Sequence, residues 1–128
     1  MDWAYLAGFT DGDGCITREV SKKTYHYSRL RWAQKESTSA VLDEIADFLR
    51  GFGLKVGTSN FSVARAGHKY PQRSLAITNA ADTRIALRYM LPHLVVKRER
   101  AVEALILLDA VAEAKAKYGN KYRRHMVQ

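Results

Sequence analysis

The spacing of apolar residues along this chain switches between the helical period and strict alternation. In the stretch that ends at Asp11-Gly12-Asp13-Gly14, Ala4, Gly8 and Gly12 recur at four-residue intervals, which stacks small residues on one helix face. Asp2 stands in the N-cap position. From Cys15 to about Lys23 the pattern alternates, Ile16 and Val20 against Thr17, Glu19 and Ser21, which predicts a strand. A turn at Lys22–Thr24 leads to a second strand, Tyr25–Lys35, where Tyr25, Tyr27, Arg29 and Arg31 alternate with His26, Ser28, Leu30 and Trp32. Ser37, Thr38 and Ser39 are candidate caps for a helix with Val41, Leu42, Ile45, Phe48 and Leu49 on its apolar side, stopped by Gly51 and Gly53. A second hairpin follows. Its strands are Leu54–Arg65 and Arg73–Thr78, with Phe61, Val63, Leu75 and Ile77 toward the core and Gly67–Pro71 as the connection.

Asn79 or Asp82 caps a third helix with Ile85, Leu87, Tyr89 and Leu91 as its apolar side, ended by Pro92. A longer helix runs from about Val96 to Tyr118, with Val102, Leu105, Ile106, Leu108 and Val111 inward. Periodicity therefore predicts one α+β domain over residues 1–118 with two hairpins, and a basic tail at 119–128.

Charge sharpens this picture. The net charge is +8 over 128 residues, which points to a polyanionic partner. It is unevenly placed: residues 15–35 carry six Lys or Arg against one acid, and residues 51–81 carry four and none. Glu36, Asp43, Glu44 and Asp47 make the intervening helix acidic, so that helix is expected to lie away from nucleic acid. The single cysteine, Cys15, excludes an internal disulfide, and His26, His68, His93 and His125 are too scattered for a zinc site. Without an apolar run of about 20 residues or a signal peptide, the chain is expected to be intracellular, with no membrane partner and no small-molecule cofactor.

The candidate chemistry lies at residues 11–14. Asp-Gly-Asp-Gly by itself is an ordinary turn or helix stop, and it does not fit a calcium loop, whose central glycine is here Ile16. At the end of a helix, however, Asp11 and Asp13 face an already negative dipole end, a penalty of about 0.3–1 kcal/mol that a cation would remove. The full stretch Leu6-Ala7-Gly8-Phe9-Thr10-Asp11-Gly12-Asp13-Gly14 resembles the signature of the LAGLIDADG homing endonucleases. The resemblance implies a saddle of four antiparallel strands backed by helices, in the order α-β-β-α-β-β-α-α. It also implies that the motif helix forms a dimer interface through Ala4, Ala7, Gly8 and Asp11, and that Asp13 and the carbonyl of Gly12 bind Mg²⁺ or Mn²⁺. Ca²⁺ is expected to bind without supporting cleavage. Lys97 matches the family's active-site lysine, with Arg98 as competitor for that role, and Gln34 matches a polar position that orders water.

A twisted sheet with one apolar and one basic face can lay its strands along the major groove of double-stranded DNA. The alternate positions expected to touch DNA are Thr17, Glu19, Ser21, Lys23, Tyr25, Tyr27, Arg29 and Arg31 on the first hairpin. On the second they are Asn60, Ser62, Arg65, Lys69, Gln72, Arg73 and Ser74. A single motif per chain requires a homodimer to cut both strands, hence a long, roughly palindromic site and staggered cuts. The competing expectations are a non-cleaving relative of the same fold, such as an RNA maturase or transcription regulator, and a basic RNA- or ribosome-associated structural protein.

Overall fold

The computed structural model describes residues 1–21, 25–61, 71–119 and 121–122, without the side chains of residues 18–21, 25–27, 60 and 61. The expectations for Lys23, Ser62, Val63, Arg65 and Lys69, the turn at Lys22–Thr24, and the tail residues Arg123 and Arg124 fall outside the described residues.

The first helix, α1 (Trp3–Asp13), starts where the Asp2 carboxylate accepts the Tyr5 N–H at 2.8 Å. It ends without a loop. Gly14 begins strand β1 (Gly14–Ser21) while its N–H still bonds the Thr10 carbonyl. A Cβ at Gly14 would lie 2.8 Å from the Thr10 Cα, so only glycine lets the helix pass directly into the sheet. Strand β2 (Tyr25–Lys35) returns antiparallel, with Ile16 opposite Leu30 and Thr17 opposite Arg29. After a 3₁₀ turn at Glu36–Thr38 come α2 (Ala40–Gly51), β3 (Gly57–Phe61), β4 (Gln72–Ile77), α3 (Ala80–Met90) and α4 (Arg98–Tyr118). The strands form one antiparallel sheet in the order β1-β2-β4-β3. Among the described residues this is the expected α-β-β-α-β-β-α-α order.

The helices cover one face of the sheet. Ile16, Leu30, Trp32, Leu75 and Ile77 meet Leu6, Leu42, Ile45, Leu49, Leu87 and Met90 in a continuous core. A buried polar bridge ties α1 to this layer. Trp32 Nε1 donates to Thr10 Oγ1 at 2.9 Å, and that hydroxyl donates to the Leu6 carbonyl at 2.7 Å. All of these groups are sealed from water, so each unmade bond would cost about 1–3 kcal/mol.

Several expected faces are corrected. In α3 the buried residues are Thr83, Ala86, Leu87 and Met90, while Ile85 and Tyr89 are exposed. The alternate residues 85, 87, 89 and 91 cannot share one side of a 3.6-residue helix. In α4, Ala101, Ala104 and Leu107 are buried, and Val102 and Ile106 face outward. On β3, Thr58 pairs with Leu75 and Phe61 with Gln72, so position 61 falls in the row opposite to the one expected for a core residue. A one-residue shift exchanges the faces of a strand, and Gly57, Thr58 and Ser59 are all exposed on this edge, so burial does little to pin the alternation. Ser39 precedes α2 but makes no capping bond with its side chain. Asn79, rather than Asp82, caps α3. No helix among the described residues is long and apolar enough to cross a membrane.

Candidate active site and nucleic-acid face

The tip of α1 gathers the candidate chemistry. Asp13 is exposed, and its Oδ2 accepts a hydrogen bond from Gln34 Nε2 at 3.0 Å. Gln34 stands at the end of β2 on the row of Leu30 and Trp32, which brings its amide beneath the last turn of α1. Its other end is also held, since Thr38 Oγ1 donates to Gln34 Oε1 at 3.0 Å. Thr38 was invisible as a site residue, because Ser37-Thr38-Ser39 reads simply as a run of helix caps.

On the other side of the tip, Asp11 serves the segment before α4. Its carboxylate accepts the N–H of Val95 at 2.8 Å and that of Lys97 at 2.9 Å. An anion supplied by one helix thus satisfies N–H groups at the start of another, where the dipole favours negative charge. The Lys97 ammonium reaches back to the Asp11 carbonyl at 2.7 Å. A cation in that place faces the negative end of α1, which explains why a lysine is tolerated just ahead of α4. Arg98, beside it, is exposed.

Around the circumference of α1, Ala4, Gly8 and Gly12 form an exposed stripe, and a Cβ added at Gly8 or Gly12 would meet nothing within 4 Å. Ala7 is fully buried in the chain's own core, so its expected place at a dimer interface is corrected. Asp11 is half-buried, and its carboxylate is engaged within the chain. Among the described residues there is no group of three His, Cys, Asp or Glu placed to hold a metal ion. At the tip of α1 the Asp13 carboxylate is exposed, next to the Gly12 carbonyl in the last helical turn. Both are hard oxygen donors of the kind Mg²⁺ and Ca²⁺ prefer. Asp13 is paired with no Lys or Arg among the described residues, and its one partner is a neutral amide.

The sheet face away from the helices carries Cys15, Thr17, Arg29, Arg31 and Lys35. Register joins Thr17 to Arg29, Cys15 to Arg31, and Lys35 to Gln72 across three strands. Glu19 pairs with Tyr27 and Ser21 with Tyr25, which sets these positions on the same alternation as Thr17 and Arg29. One expected contact is overturned. Arg73 lies on the row of Leu75 and Ile77, and its guanidinium bonds Asp43 at 2.9 Å and Ser39 at 3.1 Å on the helix side. Asn60 pairs with Arg73 and so shares that row position. The Arg73 hydrogen bond and charge hold the Asp43 carboxyl below its usual range. Ser74 is on the outer row but buried, bonded at 2.7 Å to Ser59, an exposed hydroxyl that the alternation expected for β3 had placed toward the core.

The sequence matches the family model described as LAGLIDADG endonuclease over residues 6–86. No curated protein sequence matches the chain. The fold resembles that of the homing endonuclease I-CvuI, solved in complex with the I-CreI target, at 24% identity and a TM-score of 0.65, covering 88% of this chain and 69% of I-CvuI. The homing endonuclease I-TnaI is similar at 18% identity and a TM-score of 0.67, covering 90% of this chain and 76% of its own. The group I intron-encoded homing endonuclease I-CeuI, complexed with DNA, is similar at 12% identity and a TM-score of 0.60, covering 90% and 55%. At these identities the structural likeness concerns the fold, whereas the family match runs from the motif helix through the sheet and α2 into α3. This chain therefore belongs to the LAGLIDADG endonuclease family.

Proposed function

We propose that the chain is a homodimeric, site-specific homing endonuclease that cuts both strands of a long, roughly palindromic DNA site and depends on Mg²⁺ or Mn²⁺. The observation that carries this reading is Asp13: exposed at the tip of α1, without a cationic partner among the described residues, and held by Gln34, while the Lys97 ammonium bonds the Asp11 carbonyl in the same last turn. The Gly8 and Gly12 stripe supports the dimer. Glycine inside a helix costs about 1 kcal/mol relative to alanine, and nothing among the described residues approaches those positions closely enough to require it. A second α1 crossing there would bring two Asp13 tips together.

The two Asp13 carboxylates and the Gly12 carbonyls would hold the divalent ion, which when bound supplies a nucleophile at neutral pH and charge for the leaving oxygen. Gln34 keeps the Asp13 carboxylate in one orientation and has a second amide hydrogen to offer a water. Lys97 brings a positive charge to the same helix tip for the charge that develops on the phosphate. Thr17, Arg29, Arg31, Lys35 and Gln72, with the positions of Glu19, Ser21, Tyr25 and Tyr27, form the surface that would follow the major groove. I-CvuI has been solved on DNA with Mg and with Ca, which supports divalent-ion use by a chain of this fold.

Incubation with a randomised duplex library tests the reading. Cleavage of one sequence class in Mg²⁺, binding without cleavage in Ca²⁺, and a steep loss of binding with salt are expected. Binding without cutting under every divalent ion would favour a regulator or maturase instead.

A further inference from the structure

The amide of Gln34 is gripped at both ends. Its nitrogen donates to Asp13 Oδ2 at 3.0 Å, and its oxygen accepts from the Thr38 hydroxyl at 3.0 Å. The orientation follows from the chemistry, since an ionised carboxylate can only accept and so requires the NH₂ side of the amide. The oxygen then faces Thr38. The Thr38 hydroxyl has one proton, and its other acceptor within reach, the Lys35 carbonyl, is farther away at 3.3 Å. Thr38 is exposed, ends the 3₁₀ turn at Glu36–Thr38, and projects back onto the end of β2. Without that hydroxyl the long Gln34 side chain would retain a single anchor, on the very group it has to steady.

From this geometry we propose that Thr38 is a positioning residue of the cutting site, acting on Asp13 only through the Gln34 amide. The proposal rests on the reading of Asp13 and Gln34 as catalytic. Its conformational part stands apart from that reading.

Two measurements test it. In the free protein, Thr38→Val is expected to shift the ¹⁵N–¹H signals of the Gln34 side-chain amide, while Thr38→Ser keeps them near their original positions. Unchanged Gln34 signals in Thr38→Val would overturn the proposal whether or not the protein cuts DNA. On a duplex recovered from the randomised library, Thr38→Val is expected to lower kcat about 5–10-fold, the loss of one neutral hydrogen bond. Affinity for the duplex in Ca²⁺ should stay unchanged, and Thr38→Ser should restore the rate. In a Gln34→Ala background Thr38→Val should have no further effect, because both changes remove the same restraint. A full additional loss in that background, or equal losses in affinity and rate, would overturn the proposal. Undiminished cutting by Asp13→Asn would instead refute the endonuclease site itself and leave the amide measurement intact.

Discussion

Asp11 and Asp13 end the same helix two residues apart, yet the loop side and the sheet side of that tip use them in opposite ways. Asp11 turns toward the segment before α4 and spends both oxygens on the N–H groups of Val95 and Lys97. Asp13 turns toward β2, stays exposed, and receives a single bond from a neutral amide. The dipole penalty on a carboxylate at a helix C-terminus is thus offset within the chain for Asp11 and left standing for Asp13. One acid is engaged within the chain, and the other stays exposed. A roughly 200° turn between residues two apart on a helix is enough to separate the roles.

The largest expected effect comes from breaking the sheet side. Asp13→Asn should lower DNA cleavage by about 10³-fold or more, the several kcal/mol that a metal ion contributes to the barrier, with the thermal unfolding curve unchanged. Next comes the meeting of two tips. Gly8→Leu should leave the chain folded, because the site is open, but should halve the mass seen in sedimentation and remove double-strand cutting. On the loop side, Asp11→Ala should destabilise the free protein by about 1–3 kcal/mol in urea unfolding, since it strands two backbone donors. Equal destabilisation by Asp13→Asn would erase the contrast.

A third acid gives the smallest effect. Asp109 bonds Arg84 at 2.6 Å and Arg88 at 2.8 Å, and these partners, Arg84 first, hold its carboxyl below the usual range. A lowered folded-state pKa contributes stability that is complete above the unfolded carboxylate range and is lost as pH falls through the folded value. Asp109→Asn should therefore lower stability slightly at pH 7, where that contribution is complete, and flatten the acid limb of the stability–pH profile, the variant and the parent converging as pH falls below about pH 4.

How far such roles could be read beforehand depended on whether they are local. Asp13, Gln34 and Lys97 lie in short stretches that resemble a known signature, and the fold brings the first two to 3.0 Å. Thr38 depends on a 3₁₀ turn doubling back onto β2, which no periodicity encodes. The occupation of Asp11 is a contact across 84 residues of chain and is equally silent. Among the elements, strong amphipathic patterns such as α2 were read correctly, with Leu42, Ile45 and Leu49 buried. Patterns rich in apolar residues on several sides misled, as at Ile85, Tyr89, Val102 and Ile106. Arg73 was assigned to DNA by its charge, although strict alternation with Leu75 and Ile77 already set it on the helix side.

The central claim is that cutting needs two copies of Asp13 over one duplex. The mass of the complex formed in Ca²⁺ with a library-selected duplex, measured by analytical ultracentrifugation, tests it most directly. Two chains per duplex are expected at saturation. A saturated complex containing one chain, still able to cut both strands when Mg²⁺ replaces Ca²⁺, would contradict the account.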